Sequence, residues 1–517
     1  MDRRRFLLTI GAVPLVCLLG VPEREQVTEP QLGPPLPFDF DTLRQQARAL
    51  SMAPYKPPIL RAGNVLKQID FDAIQKIRFK PEATLWSGED EPFTVRFFHL
   101  NKFVTTPVTI YAVERGLARE VQYSSKYFDY DHTNLRNKLP EDLGYGGFRI
   151  MSPKTGNDWL AFQGASYFRS SGASGQYGLS ARGIAVNTAM PQPEEFPRFS
   201  SFWLERPTDR EHGITIYALL DGPSLTGAYR FACSQSSAAV MDVQAVLFMR
   251  QSIKRLGIAP LTSMFWYGEN NRTDATDWRP EIHDSDGLAL WTGAGERIWR
   301  PLNDPPALQV SSFEDKAPKG FGLLQRDRNF DHYQDDSTFY NARPSAWVEP
   351  RGDWGKGAVQ LVEIPTNDEI HDNIVAYWLP EQVVEPGSHW NFDYRLYWAS
   401  EEPFPPTVGH VVATRIGRGG VPGQETPRKS GQHKFVIDFE GGPLFALKQR
   451  YDVDCVVTAS RGNVMHPYAL KVVGTNLWRA TFDLDLPSGD AVVLRCFLRL
   501  HETALTETWL YEYIPPK

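Results

Sequence analysis

Apolar and polar residues alternate along most of this chain in short stretches, each ended by Gly, Pro, Asn or Asp. A period of two marks a strand with one buried face, and the interruptions mark turns. The pattern predicts strands over residues 94–99, 108–112, 159–163, 213–219 and 241–249, then 288–291, 358–364 and 374–378. A stiff Pro-rich stretch follows at 400–406. Beyond it, strands are expected over 411–414, 434–439, 455–460, 477–484 and 491–500. Helical spacing is confined to the start. Leu43, Ala47 and Leu50 share one face over 38–51, with Asp41 as the expected cap, and 71–79 reads as a second short helix.

Repeated short strands without long intervening helices argue for packed β-sheets rather than βαβ units. The expected fold class is all-β. A large N-terminal β-sandwich spans 33–399, a linker 400–410, and a small C-terminal unit 411–517. The C-terminal part holds about six or seven strands in about a hundred residues, an immunoglobulin-like count. No repeat of fixed period runs through the chain.

The length of 517 residues suits more than one domain, and a hydrophobic share of 42% with 23% charged is ordinary for a globular protein. A net charge of −7 argues against a polyanionic partner, so nucleic acid is not expected. The 14 Trp, 20 Tyr and 30 Phe suit both a strand-rich core and a carbohydrate-binding surface.

The first twenty-one residues read as a targeting segment. Arg3-Arg4-Arg5-Phe6-Leu7 is a twin-arginine pattern followed by an apolar run to Val21, which implies export of the folded protein. Cys17 lies inside that run after Val16, which argues against a lipid-modified cysteine. No later stretch is long and apolar enough to span a bilayer. Outside the segment stand Cys233, Cys455 and Cys496; the last two fall on strand-like runs, where pairing and free buried thiols are both open readings. No Cys or His spacing suits a metal, and no cofactor is expected.

The candidate chemistry lies in two acidic loops. Asn367-Asp368-Glu369-Ile370-His371-Asp372-Asn373 joins two apolar strands, with Trp347, Trp354, Tyr377 and Trp378 flanking it in sequence. Crowded carboxylates disfavour each other's ionisation, so one keeps its proton near neutral pH, as a general acid must. Asp368 and Glu369 are the neighbours expected to raise Asp372 in this way. The second loop is Arg279-Pro280-Glu281-Ile282-His283-Asp284-Ser285-Asp286-Gly287. Asp284, Asp286 and Gly287 match only part of a calcium loop, and the distal glutamate is missing. Glycoside hydrolysis needs two carboxyl groups, one to protonate the leaving oxygen and one to activate water or attack carbon. Asp284 and Asp372 supply them if the fold brings the loops together. The plain alternative is an acidic hairpin tip and an Asp-Gly turn, both solvated.

The segments GASYFR (164–169), YGLSARG (177–183), APLTSMF (259–265), RPEIHDSDGL (279–288), SSFEDKAPKGFGLLQRDRNF (311–330), RPSAWVEPRGDWGKG (343–357) and IPTNDEIHDNIVAYW (364–378) carry a family resemblance. The chain resembles the bacterial periplasmic glucan biosynthesis proteins of the OpgG/OpgD type, and its export signal is similar to that of the D branch. The resemblance implies a mutarotase-like N-terminal sandwich and an immunoglobulin-like C-terminal domain. It implies a role in making osmoregulated periplasmic glucans, whose backbone is β-1,2-linked glucose. It further implies endo-β-1,2-glucanase activity with inversion, Asp372 being the general acid and Asp284 the general base. Glu369 and Tyr340 match positions near the family's cleft, and Trp347, Arg343 and His371 complete the expected substrate-binding set. Two other readings share the site: a transglycosylase that closes rings, and a non-catalytic scaffold handing glucan to a membrane glucan synthase.

Overall fold

The computed structural model describes residues 28–515, apart from 89, 132, 153–154, 209–212, 273–274, 421–422, 424–430 and 487–488. The twin-arginine pattern, the apolar run and Cys17 lie outside the described residues. Two large, mostly antiparallel sheets dominate, as the alternating pattern predicts. One has 16 strands and runs from Leu36–Pro37 through Ile214–Asp221, Ala239–Met249, His389–Ala399, Ser345–Arg351 and Gly287–Trp291 to Arg297–Pro301. The other has 10 strands and runs from Gln309–Lys316 through Lys356–Glu363, Ile374–Pro380, Leu256–Ser263, Ser180–Arg182 and Asp158–Gln163 to Thr94–Phe98. Their inner faces meet in a continuous core that includes Phe148, Phe162, Phe231, Leu261, Trp378 and Trp398.

The strand Leu256–Ser263 was not expected from alternation, because all eight of its residues are buried. A strand covered on both faces reads as an unbroken apolar run and loses the period of two. Its pairing with Ile374–Pro380 slips between Ile258 and Leu261. That irregularity accommodates Pro260, which has no N–H to give a ladder, and Ala259, whose φ is 49°.

The first helix spans Phe40–Ser51, and Asp39 rather than Asp41 caps it, accepting the Thr42 N–H at 2.7 Å. Asp41 sits in the first turn, where negative charge suits the helix dipole. Leu43 and Ala47 press onto Trp203, Leu219 and Ala228 on the outer face of the large sheet. Residues 71–79 divide into a helix, Phe71–Lys76, and a short strand, Arg78–Phe79.

The C-terminal strands go two ways. His410–Arg418, Gln432–Glu440, Trp478–Asp485 and Asn463–Lys471 form a four-stranded sheet. Thr508–Tyr513, Val492–Leu500 and Val453–Ala459 instead extend the large sheet, through the parallel pairs Ile298↔Thr508 and Trp299↔Trp509. Trp299, Leu324 and Trp347 share one core with Phe435, Phe482 and Trp509. Cys455 and Cys496 lie on neighbouring strands as free thiols with their sulfurs 3.8 Å apart.

Candidate functional site

The end of Leu256–Ser263 and the short strand Phe265–Tyr267 position both acidic loops. On one side, Thr262 and Ser263 pair with Val375 and Ile374, so the loop before Ile374 leaves the sheet there. On the other side, Phe265 pairs with His283, which places Asp284 next. Side chains fasten both loops. Asn373 is buried; its Oδ1 accepts the Phe265 N–H at 2.8 Å, and its Nδ2 donates to the carbonyls of Phe265 and Ile364 at 2.9 Å each. The Asp284 N–H donates to the Met264 carbonyl at 2.8 Å, and the Ser263 and Ser285 hydroxyls lie 2.6 Å apart. Two consecutive strands thus bring the loops together, near enough for the charge of Asp284 to act on Asp372.

Asp372 is open to solvent, yet protein atoms crowd around its carboxyl. Its pKa is raised above the ordinary 3.8, first by that desolvation and then by the charge of Asp284; Arg182, a hydrogen bond from Thr262, and Arg169 pull it back. Asp368 and Glu369, its neighbours in sequence, are not what raises it.

Asp284 is buried and paired with the Arg343 guanidinium. Arg343 crosses Gly178 so closely that a Cβ there would sit 2.9 Å from the Arg343 Cβ. Its guanidinium stacks on the Tyr340 ring, 4.1 Å from the centroid. Glu369 faces a polar knot. Arg279 donates to both of its oxygens at 2.9 Å, to Asp335 at 2.7 Å and to Asp277 at 2.9 Å, and the Tyr340 hydroxyl donates to Glu369 as well. Burial works against the Asp335 charge, but bonds from Thr338, Ser337 and Arg279 outweigh it and hold its pKa well below the usual range. Sequence reading named neither Arg279 nor Asp335 for this knot; their partners are brought in by the fold.

The segments 164–169 and 177–183 form the facing side. Arg182 is paired with Glu194 at 2.7 Å and stacks on Tyr167 at 4.8 Å and Phe196 at 5.4 Å. Arg169 stacks on Tyr177 at 4.9 Å. His371 is exposed beside Asp372. Trp347 is a correction. It is fully buried in the core beside Trp299 and Trp509 and presents no surface to a ligand. Trp354, Tyr377 and Trp378 are buried too: Trp354 and Trp378 pack into the main core, and Tyr377, on the opposite face of its strand, packs with Val362 and Val375. The exposed aromatics of this region are Trp278, Phe339 and Phe196.

Asp286 is spent internally: its Oδ2 accepts the N–H groups of Arg326 and Asp327 at 3.0 and 2.9 Å. Among the described residues, Glu281, Asp327 and His332 bring ligand-type atoms within 4.8 Å of one another. They are already partnered, Glu281 with His283 at 3.1 Å and Asp327 with His332 at 2.5 Å. Hollows of about 710 and 780 Å³ lie elsewhere, the first around Trp354, Lys356 and Trp390 and the second around Trp291, Arg297 and Phe404. Neither contains Asp284 or Asp372, so chemistry rather than concavity singles out the site.

Residues 38–513 match the family model described as periplasmic glucan biosynthesis protein, MdoG. Glucans biosynthesis protein D 2 of Ralstonia nicotianae is 47% identical over 530 residues, covering 100% of this chain and 98% of that protein. Glucans biosynthesis protein D of Stenotrophomonas maltophilia is 48% identical over 526 residues, and that of Xanthomonas campestris pv. campestris 47% over 529, with the same coverage. The match takes in both acidic loops, the strand between them and the C-terminal strands, and the chain belongs to the periplasmic glucan biosynthesis protein family.

Proposed function

We propose that this chain is an inverting endo-β-1,2-glucanase of periplasmic glucan biosynthesis, reaching the periplasm by the twin-arginine route. One observation carries the reading: Asp372 is water-accessible, has a raised pKa, and is coupled in charge to Asp284. A carboxylic acid whose pKa is raised is suited to protonate the departing glycosidic oxygen. Inversion wants the second carboxyl about 6.5–9.5 Å away, with room for water between.

In this mechanism Asp372 gives its proton to the leaving sugar hydroxyl as the bond to the anomeric carbon breaks. A water attacks that carbon from the opposite face, and its proton passes to Asp284, directly or through intervening hydroxyls. Arg343, paired with the buried Asp284 carboxyl, holds it in place for that step. Each turnover consumes one water and yields two shorter chains. The test is incubation of the purified protein with linear β-1,2-glucan, reading product mass and the anomer first formed. Shorter chains appearing first as the α-anomer support the reading, and intact polymer after long incubation overturns it. Products lighter by one water per chain would instead identify ring closure by transfer. Normal glucan synthesis in cells carrying only Asp372→Asn would point to a scaffold working with a membrane glucan synthase.

A further inference from the structure

Three large apolar side chains stand in solvent around the polar knot beside Asp372. Trp278 is 70% exposed, Ile370 72% and Phe339 39%. Each is the chain neighbour of one member of the knot: Trp278 precedes Arg279, Phe339 precedes Tyr340, and Ile370 follows Glu369. The knot is rigid, with Arg279 gripping both Glu369 oxygens at 2.9 Å and the Tyr340 hydroxyl donating to the same carboxylate. Three loops distant in sequence are thus tied together, and each leaves one apolar residue at the surface there. Core packing does not account for them, because they do not pack into the core. Phe339 is also held at φ 49°, a left-handed conformation costly for a bulky side chain. Exposed apolar groups and backbone strain at one place are what a binding surface shows.

The surroundings indicate the occupant. Asp277, Asp368 and Glu369 lie in the same loops, so the patch is bordered by negative charge. That disfavours an anionic lipid surface. A pyranose ring has flat C–H faces and a rim of hydroxyls, which matches apolar faces bordered by carboxylate acceptors. The patch shares a loop with the carboxyl pair, Ile370 lying two residues before Asp372. We infer that Trp278, Phe339 and Ile370 form a platform at the mouth of the Asp284–Asp372 site that seats glucose units of the glucan chain beyond the scissile bond, with the Arg279–Tyr340–Glu369 knot holding it in place. This deepens the hydrolase reading and rests on its substrate.

The experiment titrates linear β-1,2-glucan into Asp372→Asn protein, where turnover is blocked, and compares Trp278→Ala, Ile370→Ser and Phe339→Gly on that background. Glycine prefers the backbone conformation at 339, so Phe339→Gly keeps the fold while removing the ring. Trp278→Ala is expected to weaken binding about tenfold, and the other two about three- to fivefold. In the otherwise unmodified enzyme the same changes raise KM and leave kcat within about twofold. Binding by all three variants equal to the parent overturns the platform. So does retained glucan binding together with loss of vesicle binding or of self-association in the variants. If the unmodified protein cleaves nothing while the variants still lose glucan affinity, the hydrolase reading fails and the platform stands.

Discussion

Asp372 owes its character to opposing influences: desolvation and the charge of Asp284 raise its pKa, while Arg182, a hydrogen bond from Thr262 and Arg169 lower it. Its folded pKa lies above the ordinary 3.8, so the native state holds the proton more tightly than the unfolded chain. Stability from this group is therefore full below the ordinary value and declines as pH rises through the folded one. At neutral pH the carboxylate is a penalty. Asp372→Asn is expected to lower glucan cleavage about 10²–10⁴-fold, the usual worth of a general acid. The same variant should melt higher than the parent at pH 7, with the gap closing below the ordinary carboxyl pKa. Scanning calorimetry across pH checks both sign and window, and a variant less stable at pH 7 would contradict the argument. Gly178 gives a second test at this scale. Its absent side chain leaves room for the stem of Arg343, which has no slack so close to its own backbone. Gly178→Ala should displace Arg343 from Asp284 and cut activity at least about tenfold while the protein stays folded. Activity equal to the parent would show that the ion pair does not hold Asp284 in its working position.

Among elements, the short strand Ile282–His283 is a rigid mount. Gln325 donates through Nε2 to the carbonyls of His283 and Tyr340 at 2.9 and 3.2 Å, which turns its Oε1 toward His283 Nδ1 at 2.9 Å. Nδ1 must then donate. Nε2 faces a Glu281 oxygen at 3.1 Å, and acceptors at both ring nitrogens favour the imidazolium form. Burial opposes that charge, but Glu281, Asp286 and Gln325 outweigh it and raise the His283 pKa above 6.5. Its stabilising effect is full below 6.5 and fades as pH rises through the folded value. Glu281→Gln leaves a buried cation without its partner and is expected to cost about 3–5 kcal/mol near pH 6. Urea denaturation at pH 6 and pH 9 should show the larger loss at pH 6. Equal losses at both would mean the ring is neutral.

At the scale of the whole molecule, a buried ion pair helps tie the two large sheets together and, through Asn303, ties them to a C-terminal strand. Arg300, on a strand of the large sheet, donates to Glu363 of the second sheet at 2.9 Å, and both are buried. Glu363 also accepts the Asn303 N–H at 2.7 Å, and Asn303 Nδ2 donates to the carbonyl of Glu512 on a C-terminal strand at 3.0 Å. Arg300→Met strands the Glu363 carboxylate and should cost about 3–5 kcal/mol, whereas adding Glu363→Leu should recover most of it. Denaturant midpoints of the single and double variants test this. A double variant no better than the single would place the loss in packing rather than in the unpaired charge.

Much of this protein can be read locally. Alternation at 94–99, 241–249 and 434–439 reports strands because one-sided burial stamps a period of two on the residues themselves. The acidic loops are legible for the same reason: a polar run between apolar strands has nowhere to lie but outside. What could not be read is which faces meet. Leu256–Ser263 lost its alternation because a second layer covers its other face, and, with the short strand Phe265–Tyr267 that follows, it brings the Asp284 and Asp372 loops together. Trp347 and Trp378 lie close to the acidic loop in sequence but point into the core, while Trp278, which sequence reading passed over, is left in solvent. Composition and periodicity record how each residue relates to its own strand, so they determine the β class and the candidate acids. Pairing between distant segments is set by long-range burial, and only that decides which charges couple, which aromatics face water, and where a glucan chain finds room.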